Sequence, residues 1–554
     1  MRRYLLYILS ALSLCACSRY EQDVFSQSPG QRFEQTVSEY EQILISQEQG
    51  WLMEYYAGSK QSYGGHNIVL RFLNGHQVAA QSEHIDSVYT SQYTIDAVDG
   101  GAIPTLTFDT FSEVLHQFAI PTPQDIKGKG GDFEFNLQYQ DSIFVLKGKK
   151  WGNEIRLRPF KGEAKAYFSA LQRQRQALTL AAFTPIVIDG TEVQLSMDLD
   201  NRRLSLMSGG TTASRAFILT DRGLKLYSPL KLGTQSIQEL VLSSDGTQLS
   251  TADGGVRTTL VHLADALNLN KYSWSGYWVE GFASQNFLDK FGTIRSEERS
   301  IFSGNYTSDR AFTLGKGSSW TGLALSKTSH RDKVAASFPV GYLMDFYAVP
   351  NAPEQIHIVE KTSGKNWKYF SDMYPLISEL TKYSPYEVQD VSEGGVAYKK
   401  FTSRLEPAVW FYMQTEPTTS EIMTSAWTID FYQGWMSANL LEVFAASTSA
   451  EYKTGAFASL GLQHQWTSLQ FSVYKADNSS SYYCNYLVDI VPVWGKPQSV
   501  HILDRREGYY FQYFRYLRPI VNKILEASPY ELVSSGRYQQ LVGVNRDTWI
   551  YKHE

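Results

Sequence analysis

A chain of 554 residues, 43% of them hydrophobic, is long enough to bury several cores, and three or four domains are expected. The formal net charge of −5 and the lack of a long basic block argue against nucleic acid or anionic lipid surfaces as partners. Only 3 cysteines are present; with Cys15 and Cys17 at the very start, Cys484 has no internal disulfide partner and the fold has to rest on its core.

The N-terminus reads as a lipoprotein signal. Arg2 and Arg3 form a positive n-region, and Tyr4 to Leu14 a short apolar h-region. That run falls short of the roughly 20 apolar residues a membrane-spanning helix needs. Leu14-Cys15-Ala16-Cys17 fits a lipobox, with Leu at −3, Ala at −1 and Cys17 as the acylated residue; cleavage before Cys15 would put bulky Leu14 at −1. Residues 1–16 are thus expected to be removed. Residues 17–27, polar and carrying Glu21 and Asp23, are expected to tether lipid to fold. No later segment is long and apolar enough to span a bilayer as a helix.

Residues 28–260 read as a helix followed by β structure. Ser28-Pro29-Gly30-Gln31 is a capping box with Pro at the first helical position. Phe33, Val37, Tyr40 and Leu44 then fall on one helical face, and Gly50 ends the run. From Trp51 to about Gly255 the period becomes two, as in Phe133, Phe135, Leu137 and Tyr139, or Ile155 and Leu157. Asn74-Gly75, Asp189-Gly190 and Asp245-Gly246 suit tight hairpins between such runs. An antiparallel barrel- or sandwich-like half is expected, divided by a short helix around Ala164 to Leu178.

Residues 256–285 look like a junction, with a helical Ala264-Asp265-Ala266-Leu267 and the aromatics Tyr272, Trp274, Tyr277 and Trp278. Beyond it lies an internal repeat. Tyr342-Leu343-Met344-Asp345 matches Tyr486-Leu487-Val488-Asp489. Gln355-Ile356-His357-Ile358-Val359 matches Ser499-Val500-His501-Ile502-Leu503. Pro375 matches Pro519, and Ser384-Pro385-Tyr386-Glu387 matches Ser528-Pro529-Tyr530-Glu531, all at one ungapped spacing of 144 residues. Each copy predicts strand, turn, strand, helix and extended exit, with the Pro opening or kinking a helix around 370–382 or 514–526. Trp320-Thr321 and Trp466-Thr467 pair only with a shift of two residues. Two α+β modules, 286–404 and 405–554, are expected. The fold class is therefore mainly β with α+β modules in a multidomain chain.

Several segments resemble a known family. Val24-Phe25-Ser26-Gln27-Ser28-Pro29-Gly30-Gln31-Arg32-Phe33 and Gly50-Trp51-Leu52-Met53-Glu54-Tyr55-Tyr56 resemble the opening of many surface lipoproteins of Bacteroidota. Leu115-His116-Gln117-Phe118, Gly131-Asp132-Phe133-Glu134-Phe135, Leu146-Lys147-Gly148-Lys149-Lys150 and Thr220-Asp221-Arg222-Gly223-Leu224-Lys225-Leu226-Tyr227 resemble the body of one such family, the domain of unknown function 4302. The resemblance covers about residues 20–260 and leaves 286–554 unplaced. It implies an outer-membrane protein, lipid-anchored and facing the cell exterior, that accompanies SusC/SusD-type importers of glycans or peptides. Ser18-Arg19-Tyr20 separates Cys17 from the first acid, a departure at the tether.

No motif for a zinc helix, a nucleophile elbow or a Walker loop is present. Gly128-Lys129-Gly130-Gly131 lies between β segments and reads as a turn rather than a phosphate cradle. Asp198-Leu199-Asp200-Asn201 lacks the Gly and the closing Glu of a calcium loop and reads as a polar turn. His357 and His501 occupy matching strand positions and read as structural histidines, since metal binding would need the two modules to converge. Glu297-Glu298 and Asp345 with Asp489 are the carboxylates a glycosidase reading would draw on; a solvated or capping role is the default. Aromatic content reaches 14%, and Trp274 with Trp278 and Trp427 with Trp435 are the clusters best suited to stack on a ligand, although sheets also favour aromatics for packing. The expected function is a non-catalytic accessory or ligand-capture lipoprotein. A surface hydrolase using non-local carboxylates and a purely structural surface protein are the alternatives. Lipidation at Cys17 is the one assigned site; no catalytic residue, metal or cofactor is assigned, and ligand-binding residues are left open.

Overall fold

The computed structural model describes residues 27–96, 103–121, 128–295, 298–299, 304–317, 320–329, 337–363, 373–415, 426–463, 466–536 and 538–552. Residues 1–26, with the expected signal peptide and Cys17, lie outside the described residues, as do Glu297 and residue 370 at the expected start of the first repeat's helix. Among the described residues no helix is long and apolar enough to cross a membrane. The chain divides into two units near residue 260.

The first unit opens with the helix Pro29–Ser46. Its capping box forms as expected: Gln31 N donates to Ser28 Oγ at 3.3 Å and Ser28 N to Gln31 Oε1 at 3.0 Å. The helix ends at Ser46, ahead of Gly50, whose φ of +87° turns the chain into the first strand. Leu44 is buried, with Val37 and Tyr40 packed beside it, so the predicted face is the one that meets the core.

Eight antiparallel strands between Trp51 and Pro159 then close into a barrel, because Trp51–Tyr56 pairs both with Gly65–Leu73 and with Glu154–Pro159. Alternation fills the interior: Trp51, Met53, Ile68, Leu70, Phe135, Leu137, Phe144, Leu146, Ile155 and Leu157 are buried in one cluster. Asn74-Gly75 connects two strands as expected, with Gly75 at φ +77°. The helix Ala164–Leu178 follows, and a nine-stranded antiparallel sheet completes the unit. Asp189-Gly190 takes φ values of +50° and +75°, the left-handed pair a two-residue hairpin favours. Strand Arg257–Val261 still belongs to this sheet, so β structure reaches five residues into the expected junction.

The second unit holds the repeat. Strands Ser337–Val349 and Ala352–Ser363 recur as Ser481–Val493 and Lys496–Glu507, and helix Tyr374–Lys382 recurs as Arg518–Glu526. Pro375 and Pro519 open their helices rather than kinking them. Even the irregularities repeat: register shifts at Leu343/Met344 and Ala348/Val349 recur at Leu487/Val488 and Pro492/Val493. The Ser-Pro bonds at 384–385 and 528–529 are both cis. The shift of two residues is also real: the bulge between Ser308 and Phe312 recurs between Thr454 and Ala458.

The repeat begins earlier and the first copy ends later than the sequence suggested. Strand Ser273–Tyr277 pairs with Gly304–Lys316 on one side and Trp410–Gln414 on the other, which closes the first copy into a ring. Residues up to Gln414 thus serve the first copy's sheet, and the division expected at 404 falls after Gln414 and before Ala426, where the second copy's eight-stranded sheet starts. The helix Gln285–Arg295 and its counterpart Ala438–Ala446 are likewise part of the repeat. Ser284 Oγ donates to Asn286 Oδ1 at 2.6 Å, and Ser437 Oγ to Asn439 Oδ1 at 2.6 Å.

Candidate functional site

Most residues singled out in the sequence fall into structural roles. Gly128-Lys129-Gly130-Gly131 forms a loop whose Lys129 and Gly131 amides donate to Phe118 O. Asp198 Oδ1 accepts from the amides of Asp200 and Asn201, each at 3.0 Å, as a polar turn does. Trp274, Trp278 and Trp427 are core residues, 3%, 2% and 1% exposed, so they are not stacking platforms. Trp278 lies flat on Phe312 at 3.9 Å. Trp435 is half-buried in an aromatic group with Tyr538 and Tyr551. His357 Nδ1 lies 3.4 Å from Ser384 Oγ, and burial lowers the pKa of both His357 and His501. Asp345 lies 3.6 Å from Lys361, whereas Asp489 is bound by Arg505 and by Arg310.

The polar cluster with the most developed geometry was not among the sequence candidates. His66 on strand Gly65–Leu73 meets Glu83 and His84, which sit in the turn between strands Gln77–Ser82 and Ile85–Asp96. Their ligand-type atoms lie within 4.8 Å of one another. His66 Nδ1 is 2.9 Å from His84 Nε2, and His66 Nε2 is 3.0 Å from Tyr63 O. Only a protonated Nε2 can donate to that carbonyl, so His66 Nδ1 presents its lone pair to His84.

A fourth residue arrives from the second sheet. Arg202, at φ +48°, leaves the Asp198–Asn201 turn and grips Glu83 with two parallel bonds, Nη1 to Oε1 and Nη2 to Oε2, each 2.8 Å. The pair is enclosed, with side chains 3% and 6% exposed. Arg202 Nη1 also donates to Gly65 O at 2.5 Å, and Asn67 N donates to Glu83 Oε1 at 2.7 Å. The approach is close enough to require glycine: a Cβ on Gly64, at φ +69°, would fall 2.2 Å from Arg202 Cβ.

Burial alone would raise the Glu83 carboxyl, but the adjacent guanidinium outweighs it and holds the pKa at about 2. Burial, with Arg202 beside it, pushes His66 well below its usual value of 6.5; burial also lowers His84. Both rings are therefore neutral, the state in which imidazole ligates a metal, and the Tyr63 carbonyl orients His66 as a supporting partner does in metal sites. His66, Glu83 and His84 are the residues that could hold a divalent cation. Against it stands Arg202, whose charge occupies both carboxylate oxygens. As arranged, the cluster ties the barrel hairpin to the second sheet, together with Asn67 Nδ2 donating to Leu219 O at 3.0 Å.

A second polar group lies on the same unit. Glu54 Oε1 accepts from Lys225 Nζ at 2.7 Å and from Arg158 Nε at 3.1 Å, in a shallow cleft shared with Tyr56, Glu154, Arg156 and Tyr227. Tyr227 meets Tyr56 edge to face at 4.8 Å.

Sequence reasoning missed the first cluster because Glu83 and Arg202 are 119 residues apart. The available signal was local: His66 followed 18 residues later by an adjacent Glu83-His84. No curated protein matches the chain significantly. Residues 21–244, which contain both polar groups, match a family of proteins described as "Domain of unknown function (DUF4302)". The N-terminal part of the chain, the whole barrel and most of the second sheet, carries the domain of unknown function 4302.

Proposed function

We propose that this chain is an outer-membrane lipoprotein, anchored through acyl groups on Cys17 and facing the cell exterior, that captures a glycan or peptide for a SusC/SusD-type importer without catalysis of its own. The lipobox Leu14-Cys15-Ala16-Cys17 supports the anchor, and the domain in residues 21–244 is of the kind the sequence resemblance links to such importers.

One observation carries the non-catalytic reading: four enclosed carboxylates among the described residues, Glu83, Glu54, Asp489 and Asp132, are engaged by fixed partners. Glu83 is held by Arg202, Glu54 by Arg158 and Lys225, and Asp489 by Arg505 and Arg310. Asp132, whose pKa burial raises, accepts from the amides of Lys150 at 3.0 Å and Trp151 at 2.9 Å. It is also pressed against Gly148, where a Cβ would meet Asp132 Oδ2 at 2.1 Å. Glycoside hydrolysis instead needs a facing pair, one carboxyl protonated and one free to attack or activate water. Calorimetry of the mature protein against oligosaccharide and peptide pools tests this. Saturable binding with the ligand recovered intact is expected, and release of cleaved products would contradict it.

A further inference from the structure

The two copies of the repeat share one strand register but differ in what they carry on the sheet face turned away from the core. Strands Tyr452–Gln463, Trp466–Lys475 and Ser481–Val493 of the second copy correspond to Gly304–Lys316, Thr321–Ser329 and Ser337–Val349 of the first. Ala458 pairs with Phe471 as Phe312 does with Leu325, and Ser472 pairs with Tyr483 as Ser326 does with Pro339. The matching bulges place Gly455, Ala456 and Phe457 where the first copy has Asp309, Arg310 and Ala311. Ala458, Val473 and Cys484 are buried in the second copy's core, so alternation turns Phe457, Ser472, Tyr474 and Tyr483 to the opposite face. Exposure agrees: Phe457 is 45%, Tyr474 38% and Tyr483 67% exposed.

In the first copy this part of the sheet is charged and joined to the second copy. Arg310 binds Asp489, and Asp309 lies 2.9 Å from Arg505. Gly455 and Ala456 cannot make such pairs, and three aromatic rings stand in place of Ala311, Thr328 and Pro339. The rings surround a small residue. Tyr483 is directly opposite Ser472, with Tyr474 on the diagonal about 7–8 Å away. Phe457 lies on the strand at the other side of Ser472, about 10 Å from Tyr483 at the usual strand spacing of about 4.8 Å. Tyr474 leans across the space that Gly455 leaves open, where a Cβ would lie 3.4 Å from Tyr474 Cε2. Ser472, 8% exposed, forms the floor.

Beside the rings, Gln470 Nε2 donates to Asn485 Oδ1 at 2.9 Å, where the first copy has Ala324 and Gly341. Gln470 Oε1 then offers an acceptor and Asn485 Nδ2 a donor. Lys453 opposite Tyr474 and Asp430 opposite Phe457 flank the patch with one charge of each sign.

We propose that this face binds a neutral glycan, whose pyranose CH faces stack on Phe457, Tyr474 and Tyr483 while Gln470 and Asn485 bond its hydroxyls. Aromatic rings give a rigid apolar surface of large area, and the amide pair supplies both hydrogen-bond senses that a sugar hydroxyl uses. The divergence of the copies argues against a protein module as occupant: the module seated on Asp309 and Arg310 presents Arg505 and Asp489, which would find no partner at Gly455 and Ala456. The inference rests on the capture reading and selects its glycan arm.

The test is calorimetry of the mature chain against neutral cello-, manno- and malto-oligosaccharides, with a peptide pool alongside. Saturable binding of at least one saccharide is expected, little changed by added salt because no ion pair carries it. Phe457→Ala and Tyr474→Thr install the first copy's residues on the same register, so the sheet should fold, which thermal melting checks. Each of them, and Tyr483→Ala, should weaken binding about tenfold or more, as loss of an aromatic anchor does; Tyr483→Trp should retain it. Saccharide binding that ignores all three variants would overturn this site and leave the capture reading standing. Binding of peptides but of no saccharide would overturn the glycan assignment alone, and binding of neither would overturn both.

Discussion

At the scale of single residues the Arg202–Glu83 pair governs the first unit. Replacing Arg202 with Met leaves an enclosed carboxylate without its cation, which costs about 3–5 kcal/mol when a buried pair is broken. Urea unfolding followed through the barrel tryptophans measures this, and a loss under about 1 kcal/mol would show that the pair is solvated. The double variant with Glu83→Gln should recover part of the loss. Acid acts on the same cluster in two windows. His66 and His84 have folded pKa values below their usual 6.5, so the unfolded chain binds more protons and stability falls as pH drops through about 6.5. Glu83 has a folded pKa of about 2 against an ordinary 4.5, so its contribution is full above 4.5 and is lost as pH falls toward 2. A melting temperature for the N-terminal unit that is flat between pH 7 and 5 would contradict the histidine assignment.

At the scale of elements the duplication makes paired predictions. Ser384 Oγ accepts from Ile358 N at 2.9 Å, and Ser528 Oγ accepts from Ile502 N at 2.9 Å. Ser384→Ala and Ser528→Ala should each cost about 1–3 kcal/mol, the usual penalty for an amide left without its acceptor. Hydrogen exchange should locate the effect at Ile358 in one variant and at Ile502 in the other; unequal or displaced effects would argue against equivalent packing. Much of this level was legible in the sequence. The capping box at Ser28, the alternation in residues 133–139 and the ungapped match from Tyr342/Tyr486 onward are local or periodic signals, and each produced the expected element. Ring closure by strand Ser273–Tyr277 was not legible, because the pairing of Gly276 with Met413 is long-range. Nor was the burial of Trp274, Trp278 and Trp427: an aromatic residue suits either face of a sheet, and only the packed core decides. The Arg202 cluster is a third case, since its members come from two sheets.

At the scale of the whole molecule, the one described cysteine is a core residue. Cys484 is fully buried, and burial raises its thiol pKa, so it should resist maleimide in the native protein and react only on unfolding. Labelling of the native protein at the rate of an exposed thiol would contradict the placement of Cys484 in the second copy's eight-stranded sheet. Cys17 carries the larger claim. Cys17→Ala should abolish acyl labelling and release the chain from membranes, since each buried CH₂ of an acyl chain contributes about 0.8 kcal/mol to anchoring. Retention of that variant in the membrane fraction would contradict the lipobox. The most direct measurement is affinity purification of the acylated wild-type chain from detergent-solubilised outer membrane, with identification of what co-purifies. A SusC/SusD-type importer in stoichiometric amount is expected; a chain recovered alone, or found in the soluble fraction, would overturn the importer assignment.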